Sequence, residues 1–172
     1  YSNAGFILLG LVIERVSGMP YERFIQGHIL RPLKMERTSY GAGIGAESAA
    51  ARGLIEDGEG RLREAPWFHP SVGYSAGGLF STVEDMWKWN RGLEGDRILS
   101  AASRRLMQAP QRDGYGLGWL VMETWGRRDI AHGGGAPGYS AWVENWPDSG
   151  VFVGVLSNIG GSPVGEIGRS LA

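Results

Sequence analysis

Residues 127–157, RRDIAHGGGAPGYSAWVENWPDSGVFVGVLS, decide the fold class. They read as three strands, Arg127–His132, Tyr139–Trp146 and Val151–Ser157, rich in β-branched and aromatic residues. Pro147-Asp148-Ser149-Gly150 is a turn between the last two. Connections this short imply antiparallel pairing, because parallel neighbours need a crossover of a dozen or more residues. Just upstream, Tyr115–Trp125 reads as a further strand, and downstream Ser162-Pro163 opens a closing helix.

The first two thirds carry helical signals instead. Asn3 to Val16 is almost continuously apolar, stopped by Ser17-Gly18 and Pro20. It is too short to cross a membrane, which takes roughly 20 apolar residues, and a helix apolar nearly all round is expected to be buried. Tyr21, Phe24, Ile25 and Ile29 give a second, amphipathic helix between Pro20 and Pro32. Gly53–Glu64 reads as a hairpin turning through Asp57-Gly58-Glu59-Gly60. Ser81-Thr82-Val83-Glu84 reads as a capping box for a third helix that Gly95 ends, and Ser100 to Ala109 as a short fourth. Helices followed by an antiparallel sheet and a closing helix give an α+β fold, with no domain linker in view.

Composition bounds the function. The chain has 172 residues, 42% hydrophobic and 20% charged, with 17 Lys plus Arg against 18 Asp plus Glu. That balance excludes a broad basic face for nucleic acid. With no Cys there is neither a disulfide frame nor a thiolate metal site. Gly at 29 residues is more than twice the roughly 7% usual share. The glycines fall in short groups, marking turns and close backbone approaches. Tyr1 has no Met before it, and the expectation is a chain that begins inside a larger protein.

Two groups carry chemistry. Tyr1-Ser2-Asn3 places a phenol and an amide at a helix N-terminus, where free N–H groups favour negative charge. His132-Gly133-Gly134-Gly135 places an imidazole beside three residues without side chains, where substrate can lie on bare backbone and an N–H can face a developing oxyanion.

From these residues the chain resembles the C-terminal part of the serine β-lactamase and penicillin-binding-protein superfamily, in the branch of class C β-lactamases, D-alanyl-D-alanine peptidases and related esterases. Tyr1-Ser2-Asn3, followed by Ala4-Gly5-Phe6, resembles its Tyr-x-Asn motif. Pro32-Leu33-Lys34-Met35 with Thr38 resembles its Pro-Leu-Gly-Met…Thr segment, with Lys34 in place of Gly. Ala76-Gly77-Gly78-Leu79 with Ser81-Thr82 and Asp85 is similar to another shared segment. His132-Gly133-Gly134 with Pro137-Gly138-Tyr139 resembles the Lys/His-Thr/Ser-Gly strand motif. The resemblance implies a β-lactamase/transpeptidase-like α+β fold, of which residues 1–172 are the C-terminal portion of a single domain.

It also implies roles. Tyr1 would shuttle a proton between nucleophile and leaving group. A free phenol, with a pKa of about 10, is a poor base, so this needs a nearby cation, in the family the Lys of a Ser-x-x-Lys motif. Asn3 would bond the substrate amide carbonyl and that Lys. His132 would orient substrate from the opposite wall, Gly133 and Gly134 would leave room for it, and the Gly135 N–H would supply half of the oxyanion hole. No cofactor and no metal are implied. The partner is a small ester, amide or peptide substrate, with no nucleic acid and no membrane span. Oligomeric state stays open, and a periplasmic or cell-envelope location is suggested by the resemblance only.

The chain departs from the pattern twice. Its lysines, Lys34 and Lys88, have Arg31 and Asp85 three positions earlier, so there is no Ser-x-x-Lys. In the family that motif lies upstream, and alone the chain is not expected to turn over. Position 133 is Gly where a hydroxyl usually helps hold a substrate carboxylate, and His132 is mostly neutral at pH 7. Both favour an esterase or an amidase/peptidase over a penicillin-recognising enzyme, with a non-catalytic binding or sensor relative as a third reading and a solitary domain with relic motifs as a fourth.

Plainer readings compete at each position. Tyr1 also suits an aromatic at a helix start, and Asn3 an N-cap. Gly73-Tyr74-Ser75-Ala76-Gly77 matches the Gly-x-Ser-x-Gly nucleophile elbow, but Pro66–Val72 reads as a loop where the elbow needs a strand. His28 and His69 stand at no metal-ligand spacing from another candidate ligand. Trp142 or Trp146 are candidates to border a cleft, Glu144 and Asp148 a candidate carboxylate pair, and Arg127 and Asp129 read as solvated turn charges.

Overall fold

The computed structural model describes residues 1–41, 50–66 and 69–172; Trp67-Phe68 of the expected 66–72 loop lie outside them. Helix α1 (Asn3–Ser17) is capped by Ser2, whose hydroxyl accepts the Gly5 N–H at 3.4 Å. Ser2 has the extended backbone of an N-cap (φ −155°), so the cap falls one residue before the expected Asn3. Gly18 ends the helix in the left-handed conformation at φ 67°.

The expected all-round burial of α1 does not hold. Gly10 is its sole buried residue, whereas Leu8, Leu9, Leu11 and Val12 are exposed and Val16 is 83% exposed. The helix meets its neighbours along one face. There the Ser75 hydroxyl donates to the Phe6 carbonyl at 2.8 Å, and a Cβ on Gly10 would overlap Ser75 and lie 2.7 Å from the Tyr74 ring.

Helix α2 (Tyr21–Ile25) runs into a π-helical turn, Gln26–Leu30. After the strand β1 (Ser39–Tyr40) come the hairpin β2 (Leu54–Glu56) and β3 (Leu62–Glu64), the helical turn α3 (Pro70–Gly73) within the expected loop, and β4 (Leu79–Phe80), which pairs with β1. Helix α4 (Val83–Glu94) is capped by Thr82, which accepts the Asp85 N–H at 3.3 Å. The expected Ser81 cap is instead drawn away to Thr38 at 2.7 Å. Tyr21, Ile25, Leu30, Leu33 and Met35 form a core with Ile13 of α1 and Met86 and Trp89 of α4 packed around it.

Asp85 ties α4 to this core. Fully buried, it accepts from the Arg37 N–H, the Thr38 hydroxyl and the Lys88 ammonium at 2.8, 2.9 and 2.7 Å. Burial alone would raise its pKa, but these donors outweigh it and hold the carboxyl below its ordinary value.

After the short α5 (Ala101–Met107) comes the sheet, an antiparallel meander of β5 (Leu120–Thr124), β6 (Arg127–Ala136), β7 (Tyr139–Trp146) and β8 (Val151–Ser157). The first strand begins at Leu120, not Tyr115, because the left-handed Gly118 breaks the extended run. Helix α6 (Val164–Leu171) covers one face of the sheet. A Cβ on its Gly168 would lie 2.6 Å from the Trp142 ring, and Arg169 sits over that ring at 5.4 Å. On the other face Gly154 lies near Val83 of α4.

The α6 face buries two acids. Asp129 and Glu144 are both 0% exposed, so Asp129 is not the solvated charge expected, and Glu144 partners it rather than Asp148. Trp142 Nε1–H donates to Glu144 Oε2 and the Thr124 hydroxyl to Asp129 Oδ2, each at 2.9 Å. Asp129 Oδ1 and Glu144 Oε1 are left with no other donor. Two buried carboxylates hydrogen-bond each other only if one carries a proton. Burial first, then the facing Asp129, raise the Glu144 pKa, while Trp142 and Arg169 oppose the rise.

A raised carboxyl pKa means that the folded state binds more protons than the unfolded one above the ordinary carboxylate range. Stability from this pair is therefore present at acid pH and is lost as pH rises through the folded-state value. Urea unfolding from pH 5 to 8 should show that decline, and Glu144→Gln, whose amide replaces the shared proton, should flatten it. Parallel curves for parent and variant would refute the shared proton. Packing gives a second contrast. A Cβ at Gly133 would lie 2.7 Å from the Trp142 ring, while one at Gly134 meets nothing within 4 Å. Gly133→Ala should cost about 1–3 kcal/mol by overpacking, and Gly134→Ala should be neutral or slightly stabilising in the same unfolding experiment.

Candidate functional site

The first turn of α1 and the second half of β6 come together at Tyr1 and His132. Ser2 turns the chain so that Tyr1 precedes the helix, and the Tyr1 hydroxyl donates to Asn3 Oδ1 at 2.5 Å. Tyr1 is 72% exposed, with its ring centroid 5.6 Å from that of His132. Sequence reasoning expected these two to face each other, and the structure brings them together. Asn3 Oδ1 is engaged by Tyr1, which leaves its Nδ2–H groups to donate outward.

His132 is the first β6 residue beyond the pairing with β5, which ends at Leu120↔Ala131. From His132 to Ala136 the strand pairs with β7 alone within the sheet. The edge that faces Tyr1 is therefore backbone not taken up by β5. The bareness of the three glycines is unequal: Gly134 is open, a Cβ at Gly135 would come no nearer than 3.6 Å to the Tyr139 carbonyl, and the side-chain space at Gly133 is taken by Trp142 on the α6 face.

Sequence reasoning missed Tyr115. Its hydroxyl lies 2.9 Å from His132 Nε2, and its ring is 5.6 Å from Tyr1 and 5.9 Å from His132. The glycines around it are the signal in the sequence that could have found it. Gly114 and Gly118 take φ 72° and 89°, and a Cβ at Gly116 would lie 2.5 Å from the Met107 carbonyl. A tyrosine among three glycines in tight backbone belongs to a shaped loop rather than a strand.

Burial lowers the His132 pKa, against a hydrogen bond with the Gly133 backbone that favours the charged ring. Burial raises that of Tyr115, and the neighbouring Tyr1 adds to it. Both shifts favour the uncharged ring, of His132 and of Tyr115 alike.

Other candidates lie elsewhere. Ser75 is spent on α1, donating to the Phe6 carbonyl, and sits in a 3₁₀ turn (Tyr74–Ala76) before β4 rather than between a strand and a helix. His28 stacks on Phe24 at 4.2 Å, and His69 meets the Ser71 hydroxyl at 2.7 Å. Trp146 is buried and Trp142 lies beneath α6, so neither faces the Tyr1–His132 pair. Lys88 donates to Asp85 and to the Lys34 carbonyl, both at 2.7 Å.

Known proteins share this fold. The family model described as Beta-lactamase matches residues 1–171. The chain is 30% identical to penicillin-binding protein 4* of Bacillus subtilis (strain 168), over 92% of this chain and 39% of that protein. It is 28% identical to the D-alanyl-D-alanine-carboxypeptidase/endopeptidase AmpH of Escherichia coli (strain K12), over 89% and 44%. Among solved structures, the octameric penicillin-binding protein homologue from Pyrococcus abyssi superposes with a TM-score of 0.88 at 30% identity, over 99% of this chain and 41% of that one. The D-amino acid amidase from Ochrobactrum anthropi SV3, complexed with D-phenylalanine, gives 0.80 at 26%, over 93% and 51%. The chain thus spans 39% to 44% of the length of these two curated relatives. With its antiparallel sheet, its tyrosine-led helix and a match along nearly its whole length, the chain belongs to the beta-lactamase family of serine hydrolases.

Proposed function

We propose that this chain supplies one wall of an acyl-transfer site in a serine hydrolase that acts as an esterase or amidase/peptidase through an acyl-serine intermediate. The observation that carries the reading is the 5.6 Å approach of Tyr1 to His132 beside the open backbone of Gly134 and Gly135. In the reaction the serine hydroxyl attacks the acyl carbonyl and forms the C–O bond. Its proton passes to the departing alcohol or amine by way of Tyr1, polarised by a neighbouring lysine, the phenol handing on its own proton as it takes up the serine's. Water then repeats the sequence on the acyl-serine. Asn3 donates Nδ2–H to the substrate carbonyl side, His132 orients the acyl group, Gly133 and Gly134 flank it with bare backbone, and the Gly135 N–H stabilises the oxyanion.

The serine and lysine have to come from outside residues 1–172, since no Ser-x-x-Lys occurs among them. The chain is then the C-terminal portion of a single domain and inactive alone. Two facts support this: the apolar face of α1 is uncovered, and the relatives are more than twice as long. One solved relative, an amidase, is complexed with D-phenylalanine, and the two curated relatives are named for penicillin binding and for D-alanyl-D-alanine peptidase action. Peptide-like amides are therefore natural substrates to try beside simple esters. Gly133 and an uncharged His132 argue against strong binding of a substrate carboxylate.

Expressing the reading frame that contains this chain and treating it with an ester-reactive phosphonate and a fluorescent penicillin tests the reading. Labelling by the phosphonate alone is expected. Labelling by both would restore the penicillin-recognising alternative, and labelling by neither would leave a binding or sensor protein. In the labelled enzyme Tyr1→Phe should slow acylation by about 10²–10⁴-fold, with melting temperature nearly unchanged because the ring contacts remain. Equal acylation rates would remove Tyr1 from the chemistry.

A further inference from the structure

We propose that Tyr115 is a positioning residue for His132: its hydroxyl donates to Nε2, fixes the imidazole as the Nδ1–H form, and so presents an uncharged wall that selects acyl donors without a carboxylate. This rests on the acyl-transfer reading above and adds to it the residue that sets the electrical class of the substrate. The argument is one of hydrogen-bond inventory. A neutral imidazole has one N–H and one lone pair. Tyr115 brings one hydroxyl proton, and the Nε2 that it faces at 2.9 Å is the acceptor a part-buried phenol needs. With the Nε2 lone pair so engaged, the one N–H of the neutral ring is on Nδ1. The lone pair is then on Nε2, and Tyr115 is its donor.

The surroundings keep the ring in that state. His132 is half-buried, and the titratable groups in ring contact with it among the described residues are Tyr1 and Tyr115, both phenols. Its cross-strand neighbour is Val143, and its chain neighbours are Ala131 and Gly133. Among the described residues no carboxylate stands against it to stabilise an imidazolium, and burial works against one. Tyr115 is fixed in turn by its loop: its backbone bridges Arg112 and Leu120, and its ring meets Tyr1 edge-on. A carboxylate brought into this wall would meet a lone pair shielded by a phenol rather than a cation, and would lose hydration without compensation.

The test is the tautomer of His132 in the enzyme used for labelling, read from ring ¹³C and ¹⁵N shifts at neutral pH with His28 as an internal control. The parent should show the Nδ1–H signature. Tyr115→Phe should lose it in favour of a mixture while His28 stays unchanged. A purely structural role would leave the tautomer unmoved. Kinetics give the second readout: the parent should prefer a neutral nitrophenyl acyl ester over its ω-carboxylate analogue by about tenfold or more in kcat/KM, the scale set by an unpaired charged group. Tyr115→Phe should narrow that ratio. An Nε2–H ring or an imidazolium in the parent overturns the proposal, as does an unaltered ratio in a folded variant. Absence of labelling by any acyl probe would instead overturn the acyl-transfer reading while leaving the tautomer result intact.

Discussion

The seat of α1 governs everything at the cleft. Ser75 donates to the Phe6 carbonyl at 2.8 Å, and Gly10 leaves the room that lets the 74–76 turn come so close. Farther along, Glu14 accepts the Tyr21 N–H at 2.7 Å and ties the helix end to α2. Tyr1 stands nine residues before Gly10, about 13 Å along the axis. A tilt of roughly 10° about that contact would swing the phenol by about 2 Å, enough to part it from His132. Two hydroxyl and carboxylate contacts and one missing side chain thus hold the Tyr1 ring against a strand from the far end of the sequence.

Much of the architecture could be read from the residues because the signals were local. The turn at 147–150, the hairpin around Asp57 and Gly60, and the stops at Gly18 and Gly95 depend on a few neighbouring side chains. What escaped depends on distant partners. Tyr115 reaches His132 across 17 positions from a loop bent by left-handed Gly114 and Gly118. Asp129 and Glu144 sit on adjacent strands, two positions out of direct register, so their meeting follows from Ala131↔Glu144 pairing that no single-strand pattern contains. Burial of α1 failed for a related reason: apolar composition states what a helix can tolerate, while its neighbours decide what is covered.

Strand β6 separates two electrostatic regimes with its period of two. Asp129, Ala131 and Gly133 face α6, where an acid pair is buried beside Trp142 and Arg169. Ile130, His132 and Gly134 face the opposite way, where the imidazole meets phenols. Both faces are desolvated, yet each handles the cost differently. Burial and the facing Asp129 raise the Glu144 carboxyl, and burial lowers the His132 imidazole. Both shifts favour the uncharged form, of a carboxyl beside the Arg169 guanidinium on one face and of an imidazole among phenols on the other.

The glycine at 133 then takes on a meaning beyond the missing hydroxyl. Its side-chain space is filled by Trp142, whose ring is in turn accommodated by Gly165 and Gly168 of α6. Any hydroxyl-bearing residue at 133 would have to displace that ring, and the ring could move only by disturbing the helix and the Trp142 hydrogen bond to Glu144. The departure at position 133 is therefore packed into the back of the sheet. A carboxylate-binding hydroxyl there requires a different residue at 142 and a different fit of α6, so the preference of the cleft is coupled to the layer behind it rather than to one side chain.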